Sequence, residues 1–210
     1  MNRSRITSLA TLTVALALAL PSPAALARKK RESLIDSVVN AYESNHSFEV
    51  PATGTVEVAF SPSEGSEALV IKVADSARTE LRILAYSFTS APVTAALLRA
   101  RKRGVDVRLV ADEKNNITDD RSGKARAALS ALVNAGIDVR TISVYPIHHD
   151  KVMVADRETV ELGSFNYSDA AARRNSENVL VNWRNPKLAA VYLGHFERNY
   201  RQARGFQTQY

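Results

Sequence analysis

The sequence predicts an α/β domain, with a mixed, largely parallel β-sheet flanked by helices on both faces. One observation predicts it, and a second limits what can hold it together. From residue 54 onward, short apolar runs alternate with longer stretches at helical spacing, and that alternation packs as a sheet beneath helices. The chain also has no cysteine, so burial and not disulfides must hold the fold, and a thiolate nucleophile or thiolate metal site is excluded.

Residues 1–27 open with Arg3 and Arg5, continue as an apolar run and close on Ala25, Leu26 and Ala27, the small-x-small pattern of a secretory cleavage site. The apolar run is shorter than the roughly 20 residues a spanning helix needs. The expectation is a signal peptide, a mature chain starting at Arg28, a periplasmic or secreted protein and no stable membrane association. An uncleaved anchor is the other reading. Removing 27 of the 210 residues leaves 183, the size of one domain, and removing two of the 28 basic residues leaves 26 against 22 acidic. That modest basic excess is compatible with an anionic polymer as partner.

Residues 28–45 place Leu34, Val38, Ala41 and Tyr42 at helical spacing after a basic cluster, which predicts a peripheral amphipathic helix; residues 46–53 read as a linker. The remaining elements follow in order. Residues 55–60 are a strand, and Ser61-Pro62 starts a helix running to Ser76. Residues 80–87 are a second strand, followed by a helix that Pro92 starts and Gly104 closes. A third strand covers 105–111. The charged pairs Asp112-Glu113 and Asp119-Asp120 fall in a solvated loop. A helix over 122–134 closes at Gly136, and 137–142 is a fourth strand. No repeat is visible.

The stretch from Ile147 to Ser168 carries the chemistry. His149, Lys151, Asp156, Gly163, Ser164 and Asn166 stand in the order H-x-K-x4-D-x6-G-S-x-N. Residues 149–155 alternate as a strand, which puts His149 and Lys151 on one face and His148 on the other. After a turn at 156–158, residues 159–163 return as a strand, and Ser164 and Asn166 bring a hydroxyl and an amide to the same edge. One base or nucleophile, one cation and two neutral hydrogen-bonding groups suit a phosphate diester better than a carbonyl or a metal.

This segment resembles the signature of the phospholipase D superfamily. The continuation through residue 202 resembles the small single-motif bacterial endonucleases of Nuc type, over residues 54–210. The resemblance implies the phospholipase D/nuclease fold and assigns Glu177 the task of holding the other ring nitrogen of His149. Lys151 and Asn166 then stabilise charge building on the phosphoryl oxygens, and Ser164 supports the phosphate. Gly163 reads as structural, permitting close backbone approach. Asp156, an odd number of residues from Lys151, lies on the opposite face and reads as a turn or core hydrogen-bonding residue.

One histidine cannot attack phosphorus and also protonate the leaving oxygen. Larger members of the superfamily carry the signature twice, and here it occurs once. The expectation is a two-fold homodimer in which both His149 side chains meet, with His195 as the alternative acid within the chain. No metal or other cofactor is implied, since Lys151 supplies the charge. Lys114, Lys124, Arg126, Arg173 and Arg174 are candidates for backbone phosphates. The leading reading is a metal-independent, nonspecific endonuclease acting on DNA, with RNA left open, through a phosphohistidine. A phospholipase D acting on lipid headgroups is the alternative, and a non-enzymatic nucleic-acid binder the third.

Overall fold

The structure, a computed structural model, describes residues 47–208. The leader expected over 1–27 and the helix expected over 28–45 lie outside the described residues. Eight strands form one sheet: β1 (Thr55–Ser61), β2 (Glu80–Ala85), β3 (Asp106–Asp112), β4 (Asp138–Ile142), β5 (Lys151–Ala155), β6 (Thr159–Gly163), β7 (Glu177–Trp183) and β8 (Arg204–Gly205). Their order across the sheet is β1-β7-β6-β5-β2-β3-β4-β8.

The mixed sheet flanked by helices is as expected, but its proportions are not. Only β2–β3 and β3–β4 are parallel, and the other five pairings are antiparallel. The reason lies in the connections. Helices α2 (Ala91–Lys102) and α3 (Lys124–Asn134) cross over between β2, β3 and β4, which permits parallel neighbours. β5 and β6 are joined by three residues, and so short a link permits only an antiparallel pair.

Alternation along the strands divides the core. Leu81, Ile83 and Ala85 of β2 and Met153 and Ala155 of β5 pack with residues of α1 (Ser66–Ser76), α2 and α3 on one face. Leu84, Val152 and Val154 pack on the other face with Ala189, Leu193 and Phe196 of the single helix α5 (Pro186–Gln202). A short helix, α4 (Asp169–Arg173), precedes β7. Each large apolar side chain so buried contributes about 1.5 to 3 kcal/mol.

Several boundaries differ from expectation, each for a local reason. α1 starts at Ser66, because Ser63 (φ 65°) and Gly65 (φ 91°) form a left-handed turn first. α2 starts where expected, with the Ser90 hydroxyl accepting from Val93 N and Pro92 in its first turn. β2 stops at Ala85 because Asn116 takes over the backbone beyond it: its Nδ2 donates to Tyr86 O at 2.6 Å and its Oδ1 accepts from Phe88 N at 2.8 Å. β5 starts at Lys151 and not at His149, because the Asp112 carboxylate accepts from His148 N at 2.8 Å. The segment expected to be a solvated loop therefore holds a buried Asp112, a fully buried Asn116 and a π-helical turn over Lys114–Thr118.

Candidate active site

β2 and β5 are neighbours, with Ala85 opposite Lys151, and both end at the same edge of the sheet. Beyond them Tyr86 N donates to Asp150 O at 2.8 Å, which keeps the two chains together as they leave the sheet. Lys151 is nearly buried and shares the face of Met153 and Ala155. Its Nζ donates to His149 O at 2.8 Å and lies 4.9 Å from the centre of the Tyr86 ring. Burial holds its pKa below the ordinary lysine value, opposed by the charges of Asp150 and Glu177. His149 is exposed, with its ring centre 4.6 Å from that of Tyr86 and tilted by 57°. His149 and Lys151 thus meet on one tyrosine ring.

The second half of the site is the end of the β6–β7 pair. Ser164 Oγ donates to Glu177 Oε2 at 2.6 Å, and Asn175 Nδ2 donates to Glu177 Oε1 at 2.9 Å. Ser164 Oγ in turn accepts from Asn178 N at 3.1 Å. Both oxygens of Glu177 are therefore engaged. The expected bond from Glu177 to the His149 ring is absent among the described residues; what Glu177 does for the first half is lend charge to the Lys151 ammonium. Gly163 lies so close to β7 that a Cβ would stand 2.2 Å from Asn178 O. Asn166 is half-buried, and its Oδ1 has no hydrogen-bond partner among the described residues.

Asp156 lies at the far end of β5, about 16 Å along the strand from Lys151. It begins the β5–β6 turn with φ 52°, and its carboxylate accepts from Arg78 N, Thr79 N, Thr79 Oγ1 and Glu80 N. Burial alone would raise this carboxyl, but those bonds outweigh it and hold the pKa below the usual carboxylate value. A cavity of about 530 Å³ opens at this end, lined by Lys72, Asp156 and Trp183 among others, away from His149 and Lys151.

On the α5 face, beneath the motif, Asp150 Oδ2 lies 2.9 Å from His195 Nε2 and 3.5 Å from His148 Nδ1. Arg198 Nη2 lies 3.0 Å from His195 Nδ1. His148 is buried, and that burial lowers its pKa, with Asp150 opposing. His195 is thus bonded to Asp150 behind the strand and not set beside the His149 ring. Of the candidate phosphate contacts, Lys114 pairs with Asp119 and Arg173 with Asp169, Arg126 donates to Ile117 O, and Lys124 and Arg174 are exposed. Among the described residues, no group of three or more His, Asp or Glu side chains is placed to share a metal ion.

Sequence reasoning missed Tyr86 and Asn116. Tyr86 had a usable signal: it follows the end of a strand with a parallel neighbour, and the carboxyl ends of such strands are where sites in open α/β sheets form.

Comparison with known proteins bears on the same residues. A family model described as cardiolipin synthase, PLD-like domain, matches residues 70–200. A phospholipase D of Rickettsia prowazekii is 31% identical over 157 residues, which cover 75% of this chain and 73% of that one. Among solved structures, Nuc of Salmonella typhimurium, titled a phospholipase D family member, superposes with a TM-score of 0.70 at 44% identity, over 73% of this chain and 98% of that one. NucT of Helicobacter pylori shares the fold, with a TM-score of 0.64 at 23% identity, over 72% of this chain and 99% of that one.

Proposed function

Since the chain belongs to the phospholipase D superfamily of phosphodiesterases, we propose that it is an exported, nonspecific endonuclease that cleaves the phosphodiester bonds of DNA, with RNA left open, in an active site shared by two copies of the chain. The observation that carries this reading is the placement of the histidines. His149 stands exposed beside the Lys151 ammonium, while His148 and His195 are engaged with Asp150 on the other face. No second described histidine of the same chain stands beside His149 to protonate a leaving group.

The chemistry then runs as two displacements. A ring nitrogen of His149 bonds to phosphorus as the bond to the leaving oxygen breaks, and that oxygen takes a proton from His149 of the second subunit. The second imidazole next takes a proton from water, whose oxygen displaces the first histidine and frees the phosphate. Lys151 and Asn166 stabilise the charge on the phosphoryl oxygens throughout, Ser164 and Glu177 support them, and no metal is required. Val144 and Ile147 on the loop entering the site are more than half exposed, apolar where a second subunit would meet them. The similarity to Nuc over nearly its whole length favours a polynucleotide. A phospholipase D reading is supported by the Rickettsia relative's name and by the same two apolar side chains, which a lipid surface would also accept. Export rests on the leader pattern of residues 1–27.

The test is to incubate the mature chain, with chelator present, against plasmid DNA, RNA and phosphatidylcholine vesicles, beside His149→Ala, and to weigh it by sedimentation. Nicking of plasmid by a dimer is expected, falling by about 10²- to 10⁴-fold or more in the variant. Headgroup release without nicking would replace this reading with the lipid one, and full activity as a monomer would remove the shared site.

A further inference from the structure

We propose that Tyr86 is the positioning residue for both halves of the His149–Lys151 pair, and that its ring, not the carboxylate of Glu177, holds the nucleophile within one subunit. The inference rests on the functional reading above. His149 is exposed, and no hydrogen bond or ion pair reaches its imidazole among the described residues; its ring centre stands 4.6 Å from that of Tyr86. The same ring carries the Lys151 ammonium at 4.9 Å, where the negative face of the π-system attracts it. One rigid plane therefore sets the spacing of nucleophile and cation.

Tyr86 can serve this way because its own backbone is fixed on both sides. Its N–H donates to Asp150 O, and Asp150 is the residue between His149 and Lys151; its carbonyl accepts from Asn116 Nδ2 at 2.6 Å. Asn116 is fully buried and also donates to Asp112 O at 2.8 Å, while the Asp112 carboxylate accepts from His148 N. The loops after β2 and β3 and the chain entering β5 are thereby tied into one frame. Rotation of His149 about its side-chain bonds would otherwise carry the attacking nitrogen away from phosphorus, and displacement by about 1 Å costs on the order of 10²-fold in rate.

Three variants and one spectroscopic measurement on the intact protein test it. With plasmid DNA as probe, Tyr86→Leu should lower kcat by about 10- to 100-fold with little change in KM, and Tyr86→Phe, which keeps the ring, should recover most of it. In the intact protein, nuclear Overhauser contacts between the His149 and Tyr86 rings are expected. Near-normal kcat in Tyr86→Leu, or a loss in Tyr86→Phe equal to that in Tyr86→Leu, would overturn the proposal. So would absence of the ring contacts in the intact protein, which decides the matter even if Tyr86→Leu does not fold. His149→Ala separates the two failures: if it stays active the site itself is wrong, whereas an inactive His149→Ala beside a fully active Tyr86→Leu removes only the role given to Tyr86.

Discussion

Glu161 is fully buried on β6 and accepts the Tyr167 hydroxyl at 2.8 Å, one residue beyond Asn166. Burial pushes its pKa up to about 8, opposed by the bonds from Tyr167 and the Met153 backbone. The folded chain then holds a proton that the unfolded chain releases near pH 4.5. Stability from this group is complete below that value and falls as pH rises towards about 8, at up to about 1.4 kcal/mol per pH unit. Glu161→Gln, which keeps an acceptor for Tyr167 and cannot ionise, should flatten the decline of Tm between pH 5 and 8; equal slopes in the two proteins would show that another group is responsible. At this scale the motif residues were legible because their spacing is local. Asn116 was not, because in a polar run nothing distinguishes an asparagine that caps two strands from one in water until the strands are placed. Nor could spacing show that Ser164 and Asn175 would occupy the carboxylate oxygens of Glu177.

At the scale of the element, the β5–β6 hairpin was legible except for the start of its first strand, expected at His149 and found at Lys151: alternating apolar residues, three polar ones and a returning run define the rest of both strands and the turn. Its link to the rest of the sheet was not. Asp156 joins the hairpin turn to the start of β2 through three backbone N–H groups and the Thr79 hydroxyl, residues nearly eighty positions away. Asp156→Ala removes those four bonds, and because water reaches the exposed Arg78 and Thr79 donors in its place, a loss of about 1 to 2 kcal/mol is expected in urea unfolding, with kcat of the folded fraction preserved. Since the folded pKa of Asp156 is depressed, the stability it contributes is present above the unfolded carboxyl value and is lost as pH falls through the folded one. A variant as stable as the parent would deny the joint its role.

For the whole molecule, the α/β class followed from the alternation of runs, while the balance of parallel and antiparallel pairs depended on which connections carry helices and which are tight turns. The proposed substrate adds a prediction at this scale. The candidate phosphate contacts are spread over α3, α4 and the loops beside them and read no bases, so cleavage at sub-saturating DNA should fall steeply with salt and vary little with sequence. Lys114 and Arg173 are already paired with Asp119 and Asp169, so about three neutralised phosphates per subunit, at Lys124, Arg126 and Arg174, correspond to a slope of about −3 in the logarithm of binding against that of salt. A slope near zero in a filter-binding titration of His149→Ala on plasmid DNA would argue against a polyanion substrate.

The hairpin that carries the motif has its bend at Asp156 and its open mouth at Lys151 and Gly163. Hairpins zip from the bend, so the reactive end is the last part of this ribbon to close and the first to fray. The geometry needed for chemistry is thus kept not by the ribbon's own turn but by neighbours that clamp its lips, and a fault in those clamps can silence the enzyme while its spectroscopic fold remains whole.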